Sequence, residues 1–303
     1  MLYGVNTHHK PYGDTNTNYL WSVAPLSVDA AASCGFGAIR FDASNYTVDA
    51  TLPNRVARTA TYLGLCRDRK LKTQMVYISP FKFNRTDSGA FADSAAGRYS
   101  MGYTLLKALL LACPVKPDYI ELENEITINL GMLWNQGQVV SDYNTTAFNE
   151  YVDLLQGELA AVREVAPAAK VICGTVQGNY AFIPWLKSKG ISMDIAGYHA
   201  YMRPIDFTDN WFTLGKKLRT VFQEFGLPVS LNEINGNVSL GQPTMASEGK
   251  RLLDAVVTWP EVESVFAYEL FDTATETGFG LTTQTTNGFS RNAQSIEFLN
   301  SFR

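Results

Sequence analysis

The sequence predicts an α/β fold, a single closed (β/α)8 barrel of the TIM type, on three observations. Short β-branched or aromatic runs recur along the chain, and each is followed by a segment with apolar residues at helical spacing. Eight such units fit within 303 residues, a length that one α/β barrel occupies without a second domain. No Gly-x-Gly-x-x-Gly follows the first run and no linker interrupts the chain, which disfavours an open doubly wound sheet. The expectation is one catalytic barrel domain spanning 1–303.

The strand candidates are Leu2–Thr7, Ala38–Asp42, Lys72–Ile78, Tyr119–Asn124, Lys170–Thr175, Ile195–His199, Val229–Asn232 and Val265–Leu270. Most are short and apolar, as strands covered on both faces must be. Between them, Ser27 to Cys34 reads as a helix stopped by Gly35, and Pro53 to Lys70 as a helix with a basic last turn. Thr146 to Ala166 places Phe148, Val152, Leu155, Leu159 and Val162 on one face before Pro167 ends it. Further helices are expected around Tyr180–Lys189, Trp211–Phe225, Met245–Thr258 and Arg291–Phe302, with Gly190 and Gly226 at helix-to-strand exchanges.

Composition narrows the function. A net charge of −4 with 18% charged residues leaves no basic face for nucleic acid, and no run approaches a membrane span. Fifteen Tyr, 17 Phe and 5 Trp beside many Asn, Thr, Ser and Gly suit a neutral, hydroxyl-rich ligand, and equally an aromatic-rich core. Cys34, Cys66, Cys113 and Cys173 lack CxxC spacing and read as buried free thiols. Three His, two of them adjacent as His8 and His9, make a poor metal-ligand set, and no cofactor motif is present. No basic or apolar leader precedes the first strand. Either a leader has been removed from a secreted or periplasmic protein, or the chain is not exported by that route. A monomer is the default expectation.

In a barrel, chemistry belongs at the C-terminal strand ends. The fourth strand ends in Asn124-Glu125 and the seventh in Asn232-Glu233, across the barrel from one another. Two facing carboxyls are what glycoside hydrolysis requires: one protonates the leaving oxygen and the other attacks the anomeric carbon, about 5–5.5 Å away. Either Glu alone reads as an ordinary solvated loop carboxylate; the matched pair does not.

These residues resemble the clan A glycoside hydrolases, with an Asn-Glu acid/base after strand four and a nucleophilic Glu after strand seven. Gly4-Val5-Asn6 with His8, Ile39-Arg40-Phe41-Asp42, Gly197-Tyr198-His199-Ala200-Tyr201 and Tyr268-Glu269-Leu270-Phe271-Asp272 extend the likeness over nearly the whole chain, and within the clan family 39 is the nearest in pattern. The resemblance implies a retaining, endo-acting glycosidase for a β-linked poly- or oligosaccharide, with Glu125 as acid/base and Glu233 as nucleophile. It implies that Asn124 binds the sugar 2-hydroxyl and that His199 and Tyr201 bracket the nucleophile. His8 and Glu269 join the substrate-binding set. Where many clan members place a Trp after strand eight, this chain has Tyr268 and Phe271, so the sugar floor differs.

Arg40 has two readings: it holds Glu233 as an anion, or it forms a structural pair with Asp42 or Glu123. Trp134 is the first candidate for a stacking platform, ahead of Trp211. Two other functions fit the same residues. A binding barrel that has lost catalysis would tolerate Gln at both glutamates, and a transglycosylase would share the covalent intermediate and pass it to a sugar.

Overall fold

The computed structural model describes residues 1–7, 24–43, 52–79, 94–201, 216–235, 242–271, 280–285, 288–291 and 300. Eight strands form a closed parallel barrel: β1 (Leu2–Thr7), β2 (Ala38–Asp42), β3 (Lys72–Tyr77), β4 (Tyr119–Leu122), β5 (Lys170–Val176), β6 (Ile195–Tyr201), β7 (Val229–Asn235) and β8 (Val262–Ala267), each pairing with its sequence neighbours and β1 closing on β8. The predicted (β/α)8 barrel is the observed one. Closure leaves the barrel no sheet edge, so each of its eight strands is paired on both sides.

The helices are α1 (Ala24–Ser33), α2 (Leu52–Asp68), α3 (Ala95–Ala112), the single turn α4 (Ile126–Asn129), α5 (Thr146–Val165), α6 (Phe182–Ser188), α7 (Leu218–Phe225) and α8 (Gln242–Val256). On α5 the five residues expected on one face are all buried, and Thr145 caps the helix by accepting the Phe148 N–H. Gly190 and Gly226 take left-handed backbone (φ 78° and 59°) where α6 and α7 hand over to strands. No helix among the described residues is long and apolar enough to cross a membrane. The four cysteines are buried and free.

Strand β8 lies three residues earlier than expected, and three further features depart from expectation. Helix α3 was not singled out in the sequence because Gly97 and Gly102 interrupt it and its apolar residues run all round, leaving Leu111 exposed. After β8 the chain forms an antiparallel hairpin, β9 (Thr282–Thr285) with β10 (Gly288–Arg291), so Arg291 ends a strand and does not open a helix. The rest of the helix expected at 291–302 lies outside the described residues except for 300. Strand β4 stops at Leu122, earlier than expected, for a reason that belongs to the site.

Helices α3 and α5 pack backbone to backbone. A methyl group on Gly157 would lie 2.0 Å from the Tyr99 carbonyl oxygen, and one on Gly102 would lie 2.3 Å from that of Leu154. Neither partner is a side chain that can swing away. Gly157→Ala is therefore expected to cost roughly 2–4 kcal/mol through forced separation of the two helices, measured as a fall in the urea midpoint. An unchanged midpoint would show that the helices part freely.

Candidate active site

The upper interior of the barrel is polar, and glycines make room for it. Gly174 and Gly197 are register partners on β5 and β6; a Cβ on the first would crowd Glu121 Oε1, and one on the second would strike Asn232 Nδ2 at 2.4 Å. Into this space Arg40 projects from β2, 2% exposed. Its Nε donates to Glu121 Oε2 (2.6 Å) and Nη2 to Glu121 Oε1 (3.0 Å), a bidentate pair, while Gln74 also donates to Glu121 Oε2 at 2.9 Å. Arg40 Nη1 donates to Glu233 Oε1 (2.6 Å) and Asn6 Oδ1 (2.7 Å), and Nη2 to Asn124 Oδ1 (2.9 Å).

Both readings of Arg40 are thus partly right. It does hold Glu233, but its structural partner is Glu121 and not Glu123. Although Glu121 and Glu123 are two apart and would share a face of a continuing strand, Glu123 has left-handed backbone (φ 64°) and its Oε1 accepts the Ser79 N–H at 2.7 Å instead. Glu125 is also left-handed (φ 49°). Two such residues around Asn124 end β4 and turn the chain sharply into α4, at a conformational cost of order 1–3 kcal/mol each. The turn is held by the Glu123 N–H on Tyr77 O (2.8 Å) and by Asn129 Nδ2, which donates to the carbonyls of Asn124 (2.8 Å) and Glu125 (2.9 Å).

On the opposite side a β-bulge does the positioning. Tyr198 pairs with Leu231 but His199 pairs with Glu233, so Asn232 is an extra residue in β7. The bulge lets consecutive side chains serve the interior: Asn232 beside Gly197, and Glu233 on Arg40. Asn6 Nδ2 ties β1 to this point by donating to Asn232 O (2.9 Å) and Ala267 O (3.1 Å).

From β6, the Tyr201 hydroxyl donates to Glu233 Oε2, and the Tyr201 ring packs edge-on against Tyr268 at 5.7 Å between centroids. His199 Nδ1 sits between the two candidate carboxylates, 3.1 Å from Glu125 Oε1 and 3.3 Å from Glu233 Oε2. Oxygens of Glu125 and Glu233 and the imidazole nitrogen all lie within 4.8 Å of one another. The Glu125 side chain is 35% exposed and that of Glu233 5%, so one carboxyl opens to the cleft and the other lies at its base.

The electrostatics follow from burial and partners. Burial alone would lower the His199 pKa, but the Glu233 charge and hydrogen bonds with Glu121 and Glu125 raise it to about 10. Burial alone would raise that of Glu121, but Arg40 and His199 hold it down to about 2. The Arg40 guanidinium, disfavoured by burial, is held charged by Glu121 and Glu233. Glu125, His199 and Glu233 also have the spacing of a metal-ligand set, and a metal there would have to displace the proton that the neighbouring carboxylates favour on His199.

The structure brings Asn124, Glu125, His199, Tyr201, Arg40 and Glu233, all expected in the site, into one network. Trp134 lies on the loop after α4, 55% exposed, its carbonyl accepting the Gly178 N–H at 3.0 Å. Glu269 follows β8 fully buried. His8, Trp211 and Asp272 lie outside the described residues. Asn6, Gln74 and Glu121 were not among the expected site residues; a Glu and a Gln in mid-strand of buried runs are the signals that would have found them.

A barrel with two opposed carboxyls at the ends of β4 and β7 defines the glycoside hydrolases of clan A. The model for glycosyl hydrolase family 53 matches residues 87–251, more than half of the sequence and a span that holds both glutamates, and the chain belongs to that family. The clan is the one the motifs implied; the family within it is 53, where the motif pattern suggested 39. No curated protein is significantly similar to the chain in sequence. Among solved structures, a β-glycosidase designated BGL167 is 13% identical with a TM-score of 0.67, covering 100% of this chain and 95% of its own. A GH5_18 protein from Streptomyces cattleya in complex with Manβ1-4GlcNAc is 14% identical (TM-score 0.67; 99% and 79% covered). The β-glucosidase from Thermotoga maritima with a substituted glucoimidazole is 12% identical (TM-score 0.67; 99% and 96% covered). At these identities the likeness is one of fold.

The raised pKa of His199 carries a sign. A group protonated more readily in the folded than in the unfolded chain stabilises the fold fully below its ordinary value near 6.5, and that stability is lost as pH rises through about 10. The expected result is that the His199 ring nitrogens, followed by NMR, stay protonated through neutral pH, and that Glu233→Gln brings the midpoint down. A midpoint near 6.5 in the wild type would contradict the assignment.

Proposed function

We propose that this family 53 glycoside hydrolase is a retaining, endo-acting β-glycosidase of a poly- or oligosaccharide. In this reading Glu125 is the acid/base and Glu233 the nucleophile. The observation that carries the reading is the approach of their carboxylate oxygens to within 4.8 Å. Double displacement uses carboxyls about 5–5.5 Å apart, whereas direct attack by water needs about 6.5–9.5 Å to admit it.

The roles follow from the surroundings of each carboxyl. Glu233 meets the Arg40 guanidinium and the Tyr201 hydroxyl, donors that suit a carboxylate kept ionised for attack. Glu125, exposed to the cleft, is placed to meet a leaving group that departs into solvent. In the first step a Glu233 oxygen bonds to the anomeric carbon while the Glu125 proton passes to the glycosidic oxygen, which leaves with the bonding pair. In the second, Glu125 takes a proton from water, the water oxygen bonds to the same carbon, and the Glu233 ester bond breaks.

Arg40 also orients Asn124. A guanidinium only donates, so the Asn124 atom facing it is the carbonyl oxygen, and the amide NH2 is turned away as a donor for a sugar hydroxyl. Trp134 offers an exposed ring on the β4 side of the barrel mouth, where a sugar beyond the cleaved bond would stack. That platform supports endo action. His8 and Glu269 complete the proposed substrate-binding set.

Reducing-end release from a panel of β-linked polysaccharides tests the reading, with wild type run beside Glu125→Gln and Glu233→Gln. The expected loss of kcat is on the order of 10²–10⁴-fold for Glu125→Gln and at least about 10⁴-fold for Glu233→Gln. NMR of the first product should show the β-anomer. An α-anomer would overturn retention, and binding without cleavage, unchanged in both variants, would favour a recognition module.

A further inference from the structure

A second acid pair lies behind the site, between β4 and the helical shell. Glu158 projects from the barrel-facing side of α5 and is fully buried; Glu123, 2% exposed, lies at the end of β4 within hydrogen-bonding reach of it. Neither Glu158 oxygen meets a donor among the described residues. Among the described residues, the titratable groups that act on Glu158 and its neighbours include no cation beside it: β4 contributes Glu121 and Glu123, α5 its own Tyr151, and β5 Cys173. The α3 side presents Gly102, whose missing side chain leaves space for the Glu158 methylenes. The buried cations of the barrel are committed elsewhere, Arg40 to Glu121 and Glu233 and His199 to Glu121, Glu125 and Glu233.

Two carboxylates sharing such a place cannot both be ionised, and a single proton between them turns repulsion into a hydrogen bond. We propose that Glu158 retains its proton at neutral pH and donates it to Glu123, acting as a positioning residue for Asn124 and Glu125. Glu123 then binds on both sides: it accepts the Glu158 hydroxyl from α5 and the Ser79 N–H from the end of β3. This clamp fixes the left-handed residue from which the acid/base segment turns. Burial and the charge of Glu123 both act to keep the Glu158 proton in place. The catalytic half of the inference rests on the role proposed for Glu125; the proton itself does not.

The experiment compares wild type, Glu158→Gln and Glu158→Ala. Gln keeps the shape and the donor but cannot ionise. A folded-state carboxyl whose pKa is raised loses the protein stability as pH rises above the ordinary value near 4.5. The melting temperature of Glu158→Gln minus that of wild type should therefore grow between pH 5 and pH 8, and a difference infrared spectrum at neutral pH should show a carboxylic-acid C=O band present only in wild type. A constant difference in melting temperature, or no such band, overturns the proton assignment whatever the enzyme's activity. Against the substrate found above, Glu158→Gln should keep kcat within about 3-fold, while Glu158→Ala should lose about 10-fold or more in kcat with KM little changed. An Ala variant that is folded and fully active overturns the positioning role while leaving Glu125 as acid/base untouched. Should Ala fail to fold, the infrared and melting comparison of wild type with Gln still decides the proton, and a kcat for Gln as low as that of a Glu125 variant overturns the role.

Discussion

One buried guanidinium organises the site. Arg40 reaches Glu121, Glu233, Asn6 and Asn124, and so joins side chains from β1, β2, β7 and the β4 end at a single point. Removing an arginine from water is costly, and its pairing with one carboxylate rarely returns a surplus. Two carboxylates and two amide oxygens supply what one partner would not. The arrangement holds because Arg has a planar set of fixed donors; a lysine, with one ammonium on a flexible stem, would not serve four partners at these angles. Loss of Arg40 would leave Glu121 and Glu233 buried together with His199 as their one remaining counter-charge among the described residues, a change of the class that costs about 3–5 kcal/mol.

Charge balance constrains the rest. His199 and Arg40 are held as cations and Glu121 as an anion, and the double displacement proposed above, with Glu233 as carboxylate and Glu125 as acid, makes the enclosed set neutral. The backbone serves that balance. Gly174 and Gly197 leave the volume that Glu121 and Asn232 occupy, the β7 bulge adds the residue that lets Asn232 and Glu233 both serve the interior, and the left-handed turn after β4 separates Glu121 from Glu123. That last separation matters most. Were Glu123 to follow Glu121 into the barrel, a third buried anion would compete for Arg40.

Much of this was legible in the sequence because buried parallel strands are short apolar runs and because chemistry sits at their C-terminal ends. Asn124, Glu125, His199, Tyr201 and Glu233 are polar residues ending such runs, and they meet as expected. What the sequence concealed depends on direction more than on position. A left-handed Glu is not visible in a string of letters, so Glu123 read as a partner for Arg40 where Glu121 is the one it meets. Helix α3 escaped because its apolar residues cover more than one face, and the β9–β10 hairpin because its strands are Thr-rich and polar, though Asn287-Gly288 is a hairpin turn signal. The bulge in β7 was hidden for the same reason as the turn: one extra residue in a strand changes no composition.

His199 links the two carboxyls in a way that bears on the proposed double displacement. Its Nδ1 carries one proton and has two acceptors at nearly equal range, Glu125 Oε1 and Glu233 Oε2. In the proposed mechanism the resting enzyme has Glu233 as the anion and Glu125 as the acid, so that proton is drawn to Glu233. Once Glu233 becomes an ester its charge is gone, while Glu125 has given up its proton and become the anion. The same N–H is then drawn to Glu125, and Arg40 keeps Glu121 as its remaining counter-charge. The enclosed set is neutral before the first step with the proton on Glu125, and neutral after it with the charge on Glu125. A site whose net charge is unchanged across the step needs little rearrangement of its low-dielectric surroundings, the condition under which fixed dipoles stabilise a transition state most.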